Sequence, residues 1–397
     1  MPISAINTTW PLLLGMGVLM LGAGLQSSLL GVRATLEGFP SVVTGLIMSC
    51  YYVGYLIGTM LAPRLLRRIG HIRAFAALAA IAAAAALAHG AFVDATVWAV
   101  IRLTSGLCFA GLYVVAESWL NDRATRETRG RLFALYMVTL YVGLGAAQFL
   151  LLAWDPATPL PFMMVSALIS LALVPIVLSA HSAPEITLPR RVRLGELYRD
   201  SPLGVATVMV SGLISATVFS MGPVYARLSG LDLRKVAAFM SVSILAGVLM
   251  QYPVGRISDR MDRRTVIAIV CMVVAGVAGT LTLLRHLPHP LFLLLTAVVS
   301  GFALTLYSLA VSHVNDKLEP SQMVDASSAL LRINGTAAAF GPVAMGGLLS
   351  VFGPGAYFAT LASLAVALLL FDLWRKLREQ PVPKEQKSRF VGTRPRV

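Results

Sequence analysis

The first apolar stretch of the chain reads PLLLGMGVLMLGAGLQSSLLGV over residues 11–32 and contains no charged side chain. A helix needs about 20 apolar residues to cross a hydrocarbon core of about 30 Å, so this stretch is long enough to span a bilayer. Eleven further stretches of similar length and composition follow it. The twelve predicted spans cover residues 11–32, 40–62, 74–93, 96–119, 131–153, 160–180, 203–227, 234–254, 264–285, 289–312, 326–351 and 355–374. The sequence therefore predicts an all-α membrane protein with twelve transmembrane helices.

Basic residues are distributed unequally between the two sides of this predicted bundle. With both termini on one side, that side receives 26 of the 32 Lys and Arg residues, the other side receives five, and Arg102 lies within a span. Loops rich in Lys and Arg stay in the cytoplasm, which predicts cytoplasmic termini in a bacterial-type inner membrane. The net charge of +14 follows from this topology, and basic residues scattered over short loops do not predict nucleic-acid binding.

The residue patterns of common enzyme and metal sites are missing from the sequence. Cys50, Cys108 and Cys271 fall in three different spans, so neither a disulfide framework nor a metal cluster is predicted. The chain contains no P-loop, no GxSxG turn and no HExxH helix. We therefore predict no cofactor, no ATP-driven pumping and no enzymatic activity.

The chain divides into two halves with six spans each. Its longest polar interior stretch lies near residue 190 and separates them. A basic loop between spans two and three has a counterpart between spans eight and nine. Internal repetition of this kind is typical of secondary transporters, whose substrate site lies at the interface of the repeats. The predicted units are residues 1–182, a linker at 183–202, residues 203–375 and a basic tail at 376–397.

The loop between spans eight and nine carries a motif. It reads GRISDRMDRR over residues 255–264 and resembles the signature loop of the major facilitator superfamily, Gly-x-x-x-Asp-Arg-x-Gly-Arg-Arg. Asp262 stands where the family usually has its second glycine. The matching positions are Gly255, Asp259, Arg260, Arg263 and Arg264.

The loop between spans two and three is a weaker copy of the same motif. Arg68 and Gly70 fit the pattern, whereas Arg67 stands where the family has its aspartate and Pro63 replaces the leading glycine. Span four adds RLTSG at residues 102–106, which is similar to an Arg-x-x-x-Gly pattern of many members. With Glu117 in VVAES and with RGRL at 129–132, these features resemble the YcaD-like subgroup of bacterial permeases.

This resemblance implies a major facilitator fold, with two pseudo-symmetric six-helix bundles around a central cavity. It also implies alternating access, a proton gradient as the energy source, a monomer, and a cavity lined by helices one, four, seven and ten. Ionisable and polar groups inside spans are the binding candidates, because they are costly to place in hydrocarbon. The substrate and coupling candidates are Arg102, Gln26, Tyr307, Glu117, Tyr113, Ser215 and His313.

Glu117 has two open roles. In the family, an acid at this place joins signature-loop arginines in a charge cluster that holds the inner gate closed, and Asp259 is expected to contribute to the same closure. The alternative role is that of a proton carrier, because a partly buried carboxylate can titrate near neutral pH once its partner leaves. The candidate partners are Arg64, Arg67, Arg68 and Arg131.

Arg102 and His313 each have two interpretations as well. Arg102 lies about six residues inside span four, which is shallow enough to snorkel towards Asp94 at the outer interface. Alternatively its guanidinium reaches the cavity and binds a carboxylate or phosphate, which would favour an anionic or zwitterionic solute. His313, near the inner end of span ten, is either a solvated interfacial residue or a proton relay.

Two further features of the sequence have more than one interpretation. The GPVAMGG run at residues 341–347 is either a close helix contact or a gating element. The tyrosines of span two face either lipid or the interface between the halves, and periodicity does not decide between these. They are Tyr51, Tyr52 and Tyr55.

The predicted function is secondary active transport of a small organic solute, coupled to protons. A multidrug efflux pump is one alternative, although drug–proton antiporters of the superfamily usually carry a Gly-Pro pair in span five, where residues 141–148 read YVGLGAAQ. A non-transporting membrane sensor is the other alternative. The expected partners are the lipid bilayer, a small-molecule solute and protons.

Overall fold

The structure is a computed structural model that describes residues 3–123, 129–178, 197–199, 201–284, 287–316, 318 and 323–378. Every regular element in this part of the chain is helical, and twelve helices are long and apolar enough to span a membrane. These are α1 Ile3–Leu36, α2 Ser41–Ile69, α3 His71–Ala91, α4 Ala95–Arg123, α5 Arg129–Leu150, α6 Leu160–Val177, α7 Pro202–Leu228, α8 Leu233–Ser258, α9 Arg263–Leu283, α10 His289–Asn315, α11 Met323–Phe352 and α12 Ala356–Arg378. All twelve predicted spans are confirmed.

The ends of the helices differ from the predicted ends by several residues. α2 was expected to end at residue 62, where the apolar stretch stops, yet it continues to Ile69. Arg64, Arg67 and Arg68 therefore lie on its last turns and are exposed, because long basic side chains reach the membrane surface without ending the helix. Gly70 ends it with a φ of 80°, a conformation that favours glycine.

The twelve helices form two bundles of six, as predicted. In the first half α2 packs against α4, and α1 packs against α5 and α6. In the second half α7 packs against α11, and α8 packs against α10. The halves meet along the pairs α1–α7, α2–α11 and α5–α8. The predicted linker at 183–202 and tail at 376–397 lie outside the described residues except for 197–199, 201–202 and 376–378.

We name the two ends of the bundle by their charge. The basic face is the end that carries the α2–α3, α4–α5, α8–α9 and α10–α11 connections, and the opposite face carries the α1–α2, α3–α4, α5–α6, α7–α8, α9–α10 and α11–α12 connections. The basic face holds the two loops that resemble the family signature. The opposite face includes Arg33, which donates to the Pro156 carbonyl and pairs with Glu37 at 2.5 Å.

Small residues allow α2 and α4 to cross in close contact. A Cβ atom added at Gly106 would lie 1.9 Å from the Tyr51 carbonyl oxygen, and one at Gly54 would lie 1.9 Å from the Leu103 carbonyl oxygen. Glycines let membrane helices approach until their backbones touch. This crossing brings the Tyr51 ring of α2 next to Arg102 of α4.

The pair α2–α11 is also in close contact, and it joins the two halves near the opposite face. A Cβ at Gly45 would lie 2.3 Å from the Pro342 carbonyl oxygen, and one at Gly346 would lie 2.3 Å from the Ser41 carbonyl oxygen. The Val343 N–H donates to the Ser49 hydroxyl at 3.1 Å. The run at 341–347 is thus the close helix contact that its first interpretation predicts.

A π-helical turn at Thr217–Met221 interrupts α7 where it meets α1 and α2. Pro223 has no N–H to give to the Phe219 carbonyl four residues earlier, which leaves that acceptor free. The Ser27 hydroxyl of α1 donates to it at 3.0 Å. Turns of this kind occur often at functional sites, and here one forms a polar contact between the halves.

Aspartates begin two helices of the second half. Asp232 caps α8 by accepting from the Lys235 backbone N–H at 2.8 Å, and this hydrogen bond holds the pKa of Asp232 below its ordinary value. Asp262 caps α9 by accepting from the Thr265 backbone N–H at 3.1 Å. Asp262, which replaces the family glycine, therefore stabilises the start of α9, because aspartate is a preferred N-cap residue.

Asp262→Ala is expected to lower the free energy of unfolding by about 1 kcal/mol, the usual contribution of a side-chain cap. Asp262→Ser, which keeps a hydrogen-bond acceptor, should have nearly the same free energy of unfolding as the parent protein. Thermal unfolding of the purified protein in detergent measures both variants. Equal stability of the alanine and serine variants would contradict the capping role.

Candidate functional site

A cavity of about 390 Å³ lies between the two halves. Side chains from α1, α2, α4, α5, α7, α8, α10 and α11 line it, so the predicted four helices contribute together with four others. Its lining includes Gln26, Ser27, Ser28, Tyr51, Tyr52, Tyr55, Arg102, Phe109, Tyr113, Glu117, Tyr141 and Gln148 from the first half, and Ser211, Ser215, Phe219, Ser220, Tyr307 and Asn334 from the second.

The cavity is closed towards the opposite face. Besides the Ser27–Phe219 and Val343–Ser49 contacts, Tyr52 and Ser220 share a hydrogen bond at 3.1 Å. The Ser241 hydroxyl of α8 also donates to the Gly145 carbonyl of α5 at 2.7 Å. All four bonds join the halves in the part of the helices that lies towards the opposite face.

Towards the basic face the cavity is open. Its lining residues nearest that face include Glu117 on α4 and Leu331 on α11, and both are exposed. The exposed part of the lining thus lies towards the basic face, whereas the contacts between the halves lie towards the opposite face.

Arg102 is buried in the lining of this cavity, with 4% of its surface exposed. Its guanidinium carbon lies 4.3 Å from the centre of the Tyr51 ring, a cation–π contact. Among the residues that the structure describes, no acceptor bonds the guanidinium, and its Nε is buried without a partner. Asp94, the partner considered for a snorkelling Arg102, instead accepts from the Val97 backbone N–H at 2.9 Å.

Glu117 lines the same cavity near its open end. Fifteen residues separate it from Arg102 on α4, which corresponds to about 22 Å along the helix axis. The predicted arginine partners of its carboxylate form no ion pair with it in the described part of this structure. Tyr55 and Tyr307 lie close enough to interact electrostatically with its charge.

Gln26 belongs to a polar group at the closed end. Its Nε2 lies 3.5 Å from Nδ1 of His89, a buried histidine whose ring stacks on Phe162. Two residues further along α1, the Ser28 hydroxyl donates to the Gln148 Oε1 at 2.5 Å. These contacts hold α1 against α3 and α5 at the floor of the cavity.

The remaining candidates divide into two groups. Tyr307, Tyr113 and Ser215 line the cavity, and the Tyr113 hydroxyl donates to the Met20 sulfur at 3.0 Å. His313 does not line it; this residue is buried near the basic end of α10, next to Gly204 at the start of α7. Its position in the bundle therefore differs from that expected of a substrate ligand.

The signature loop pairs within the second half. Arg263 Nε lies 2.5 Å from Asp316 Oδ2 at the end of α10, and Arg263 also pairs with Asp259 at 3.7 Å. Arg264 Nε lies 2.5 Å from Asp372 Oδ1 on α12. These pairs anchor the start of α9 to its own bundle, and the Asp259 side chain remains 72% exposed.

Other positions of the signature loops make fewer contacts. Arg260 is exposed in the turn after α8, and a Cβ at Gly255 would meet no other atom within 4 Å. Arg67 and Arg68 are exposed at the end of α2, and Gly70 forms the tight connection to α3. Both loops therefore face outward from the basic face in this conformation.

A family model described as Major Facilitator Superfamily matches residues 12–329 and 237–397. The chain belongs to the major facilitator superfamily. An uncharacterized MFS-type transporter of Enterobacter sp. (strain 638) is 30% identical over 382 residues, which cover 94% of this chain and 96% of the relative. An uncharacterized MFS-type transporter YcaD of Escherichia fergusonii is 28% identical over 368 residues, or 91% and 94% of the two chains.

Solved major facilitator structures share the fold at low sequence identity. The nucleoside transporter NupG aligns with a TM-score of 0.80 and 12% identity, covering 94% of this chain and all of its own. A bacterial homolog of the human lysosomal transporter Spinster, in an inward-facing and occupied conformation, aligns with a TM-score of 0.71 and 15% identity, covering 92% and 94%. This member of the superfamily is accordingly a multi-pass transporter of the bacterial inner membrane and not an enzyme.

The major facilitator cavity also contains residues that the sequence analysis did not select. Tyr51, Tyr52 and Tyr55 face it, and Gln148 and Asn334 add two amides. A signal for Tyr51 and Tyr55 was present, since they lie beside Gly54 and Gly58, the glycines of α2 that contact α4. For the two amides no pattern in the sequence distinguishes a cavity position from a helix contact.

Proposed function

We propose that this protein is a proton-coupled secondary transporter of a small organic solute that works by alternating access. The observation that carries the proposal is the cavity between the halves, which is closed towards one face and open towards the other. The excess of basic residues on the basic face supports a cytoplasmic position for that face and for both termini. The structure in this view represents the inward-facing state of a monomer.

In this proposal the two halves rock about the cavity as rigid bundles. The hydrogen bonds near the opposite face break while the basic face closes, so that access alternates. Rocking also moves the α8–α9 loop towards the first half. Asp259, exposed in the open state, then approaches the start of α5, where the helix dipole favours a nearby anion.

Glu117 is the proposed proton site. In the open state it is exposed to the cavity and pairs with no described arginine, so cytoplasmic water can exchange its proton. Closure of the basic face would bring it towards the arginines at the ends of α2 and α5, which favour the charged form. Proton release and gate closure would thus be coupled through one carboxylate.

Asp259→Asn is expected to slow transport several-fold while leaving the protein folded in the membrane, because the neutral amide interacts more weakly with the α5 dipole. Uptake rates in proteoliposomes measure the effect. Asp155→Asn, which removes an acid from a loop on the opposite face, is the control. An Asp259→Asn rate equal to that of the control would remove Asp259 from the closing mechanism.

The proposed function is tested with purified protein in liposomes that contain a pH-sensitive dye. A library of metabolites and antimicrobials is added, and solute-dependent proton movement is recorded. We expect at least one solute to move protons in these liposomes and none to do so in protein-free liposomes. If no solute produced a response while a known permease worked in the same preparation, proton-coupled transport would be contradicted.

Efflux of hydrophobic drugs is a second candidate, which the aromatic lining of the cavity favours. It predicts resistance to several unrelated drugs on overexpression. A narrow solute preference with unchanged drug resistance supports the metabolite transporter instead.

A further inference from the structure

The cavity contains a buried cation, Arg102, that pairs with no acid among the residues described by the structure. The Arg102 guanidinium carries five N–H groups, and among the described residues its one close interaction is with the face of the Tyr51 ring. A buried charge is costly unless another group pairs with it. Because this one lines a cavity between the halves, an anionic group of a bound solute could pair with it.

Aromatic rings extend from Arg102 along one wall of the cavity. The Tyr51 ring centre lies 6.3 Å from that of Phe109 and 6.4 Å from that of Tyr55, and Tyr55 lies 6.2 Å from Tyr113. Positions 102, 109 and 113 recur at helical spacing on one face of α4, and Tyr51 and Tyr55 are one turn apart on α2. A flat, apolar solute can pack against this wall while its charged end contacts Arg102.

The charges of the cavity limit the size and charge of the solute. Among the described residues that line the cavity, Glu117 is the acid, and it lies about 22 Å from Arg102 along α4, too far for one small molecule to bridge. A solute held at Arg102 therefore needs no positive group. One guanidinium balances one negative charge, whereas a dianion would keep a second charge uncompensated in a largely apolar site.

We infer that the transported solute is a planar aromatic monocarboxylate, whose carboxylate pairs with the Arg102 guanidinium and whose ring stacks on the tyrosine wall of α2 and α4. This inference rests on the proposed function and names its substrate class. Guanidinium and carboxylate match in a planar, two-pronged geometry, and Tyr51 orients the guanidinium from its other side.

Binding of four probes to the purified protein, measured by isothermal titration calorimetry with empty-micelle subtraction, tests the inference. The four probes are 2-naphthoate, the neutral isostere 2-naphthamide, the saturated decalin-2-carboxylate and the cation 2-naphthylmethylammonium. We expect 2-naphthoate to bind about tenfold more tightly than the amide and the cation, because they lack the charge-assisted contact. It should bind about fivefold more tightly than the saturated acid, which lacks a ring to stack.

Conservative variants locate the site of binding. Arg102→Lys keeps the charge but loses the planar fork, and it should weaken 2-naphthoate about tenfold. Arg234→Lys, the same change at an exposed position on the opposite face, should have no effect. Tyr51→Phe should retain binding, whereas Tyr51→Leu should weaken it about fivefold because it removes the ring.

Equal affinity for 2-naphthoate and 2-naphthamide, or a preference for the cation, would overturn the inference. Unchanged 2-naphthoate binding in Arg102→Lys would overturn it as well. Failure of this inference is distinct from failure of the proposed function. If another solute moves protons in the liposome assay while 2-naphthoate does not bind, the proposed transport function is retained and the inferred substrate class is wrong. If no solute moves protons, the proposed function itself fails.

Discussion

Gly346→Leu is expected to reduce transport to background. A Cβ at this position would lie 2.3 Å from the Ser41 carbonyl oxygen and 3.0 Å from its carbon, so α11 and α2 would have to separate. That separation opens the seam that closes the opposite face, and the protein would remain outward-facing. Uptake in proteoliposomes measures the loss, and a cysteine at Ser220 reports the state through its labelling by an impermeant thiol reagent added from the opposite face.

The adjacent residue supplies the control for this prediction. A Cβ at Gly347 would meet no other atom within 4 Å, so Gly347→Leu should express and transport like the parent protein. Both variants carry the same side chain on the same helix, which separates the α2–α11 contact from a general effect on α11. Equal loss in both variants, or normal transport by Gly346→Leu, would contradict the account of the seam.

Glu117→Gln is expected to abolish solute-driven proton movement while solute exchange across the liposome membrane continues. The amide has nearly the shape of the carboxylic acid but cannot release a proton, so the cavity still binds solute and the coupling is lost. Proton flux and counterflow of the same solute are measured in parallel in one proteoliposome preparation.

Asp232→Asn is the matched control, because it makes the same change in a loop on the opposite face and asparagine still caps α8. It should retain both proton flux and exchange. If Glu117→Gln still moved protons with solute, another group would carry them. If Glu117→Gln lost exchange together with proton flux, Glu117 would be required for solute binding or gating, and the proposed division between Arg102 and Glu117 would be wrong.

The sequence predicted the number of helices, the two halves and several cavity residues, because these depend on local composition. Twelve apolar stretches and a repeated basic loop are visible without any knowledge of packing. Arg102, Gln26, Glu117 and Tyr307 were selected because a polar group in hydrocarbon requires a partner or a cavity. All four line the cavity in the structure.

Features that depend on contacts between distant helices were not predictable in the same way. The faces of Tyr51 and Tyr55 follow from the crossing of α2 and α4, which the glycines of both helices decide together. His313 has the residue type of a proton relay, yet packing against α7 places it outside the cavity lining. The use of Asp262 as a helix cap also became apparent only with the helix boundary.

The central claim is that the two halves alternate access to the cavity, and distances between spin labels on the two faces test it most directly. One pair, at Arg73 and Met261, joins the halves across the basic face, and a second pair, at Ala157 and Arg234, joins them across the opposite face; all four positions are exposed. We predict that changes of pH or addition of a transported solute shorten the first distance and lengthen the second in the same sample. Distances that stay constant on both faces, under conditions in which the purified protein transports, would contradict alternating access.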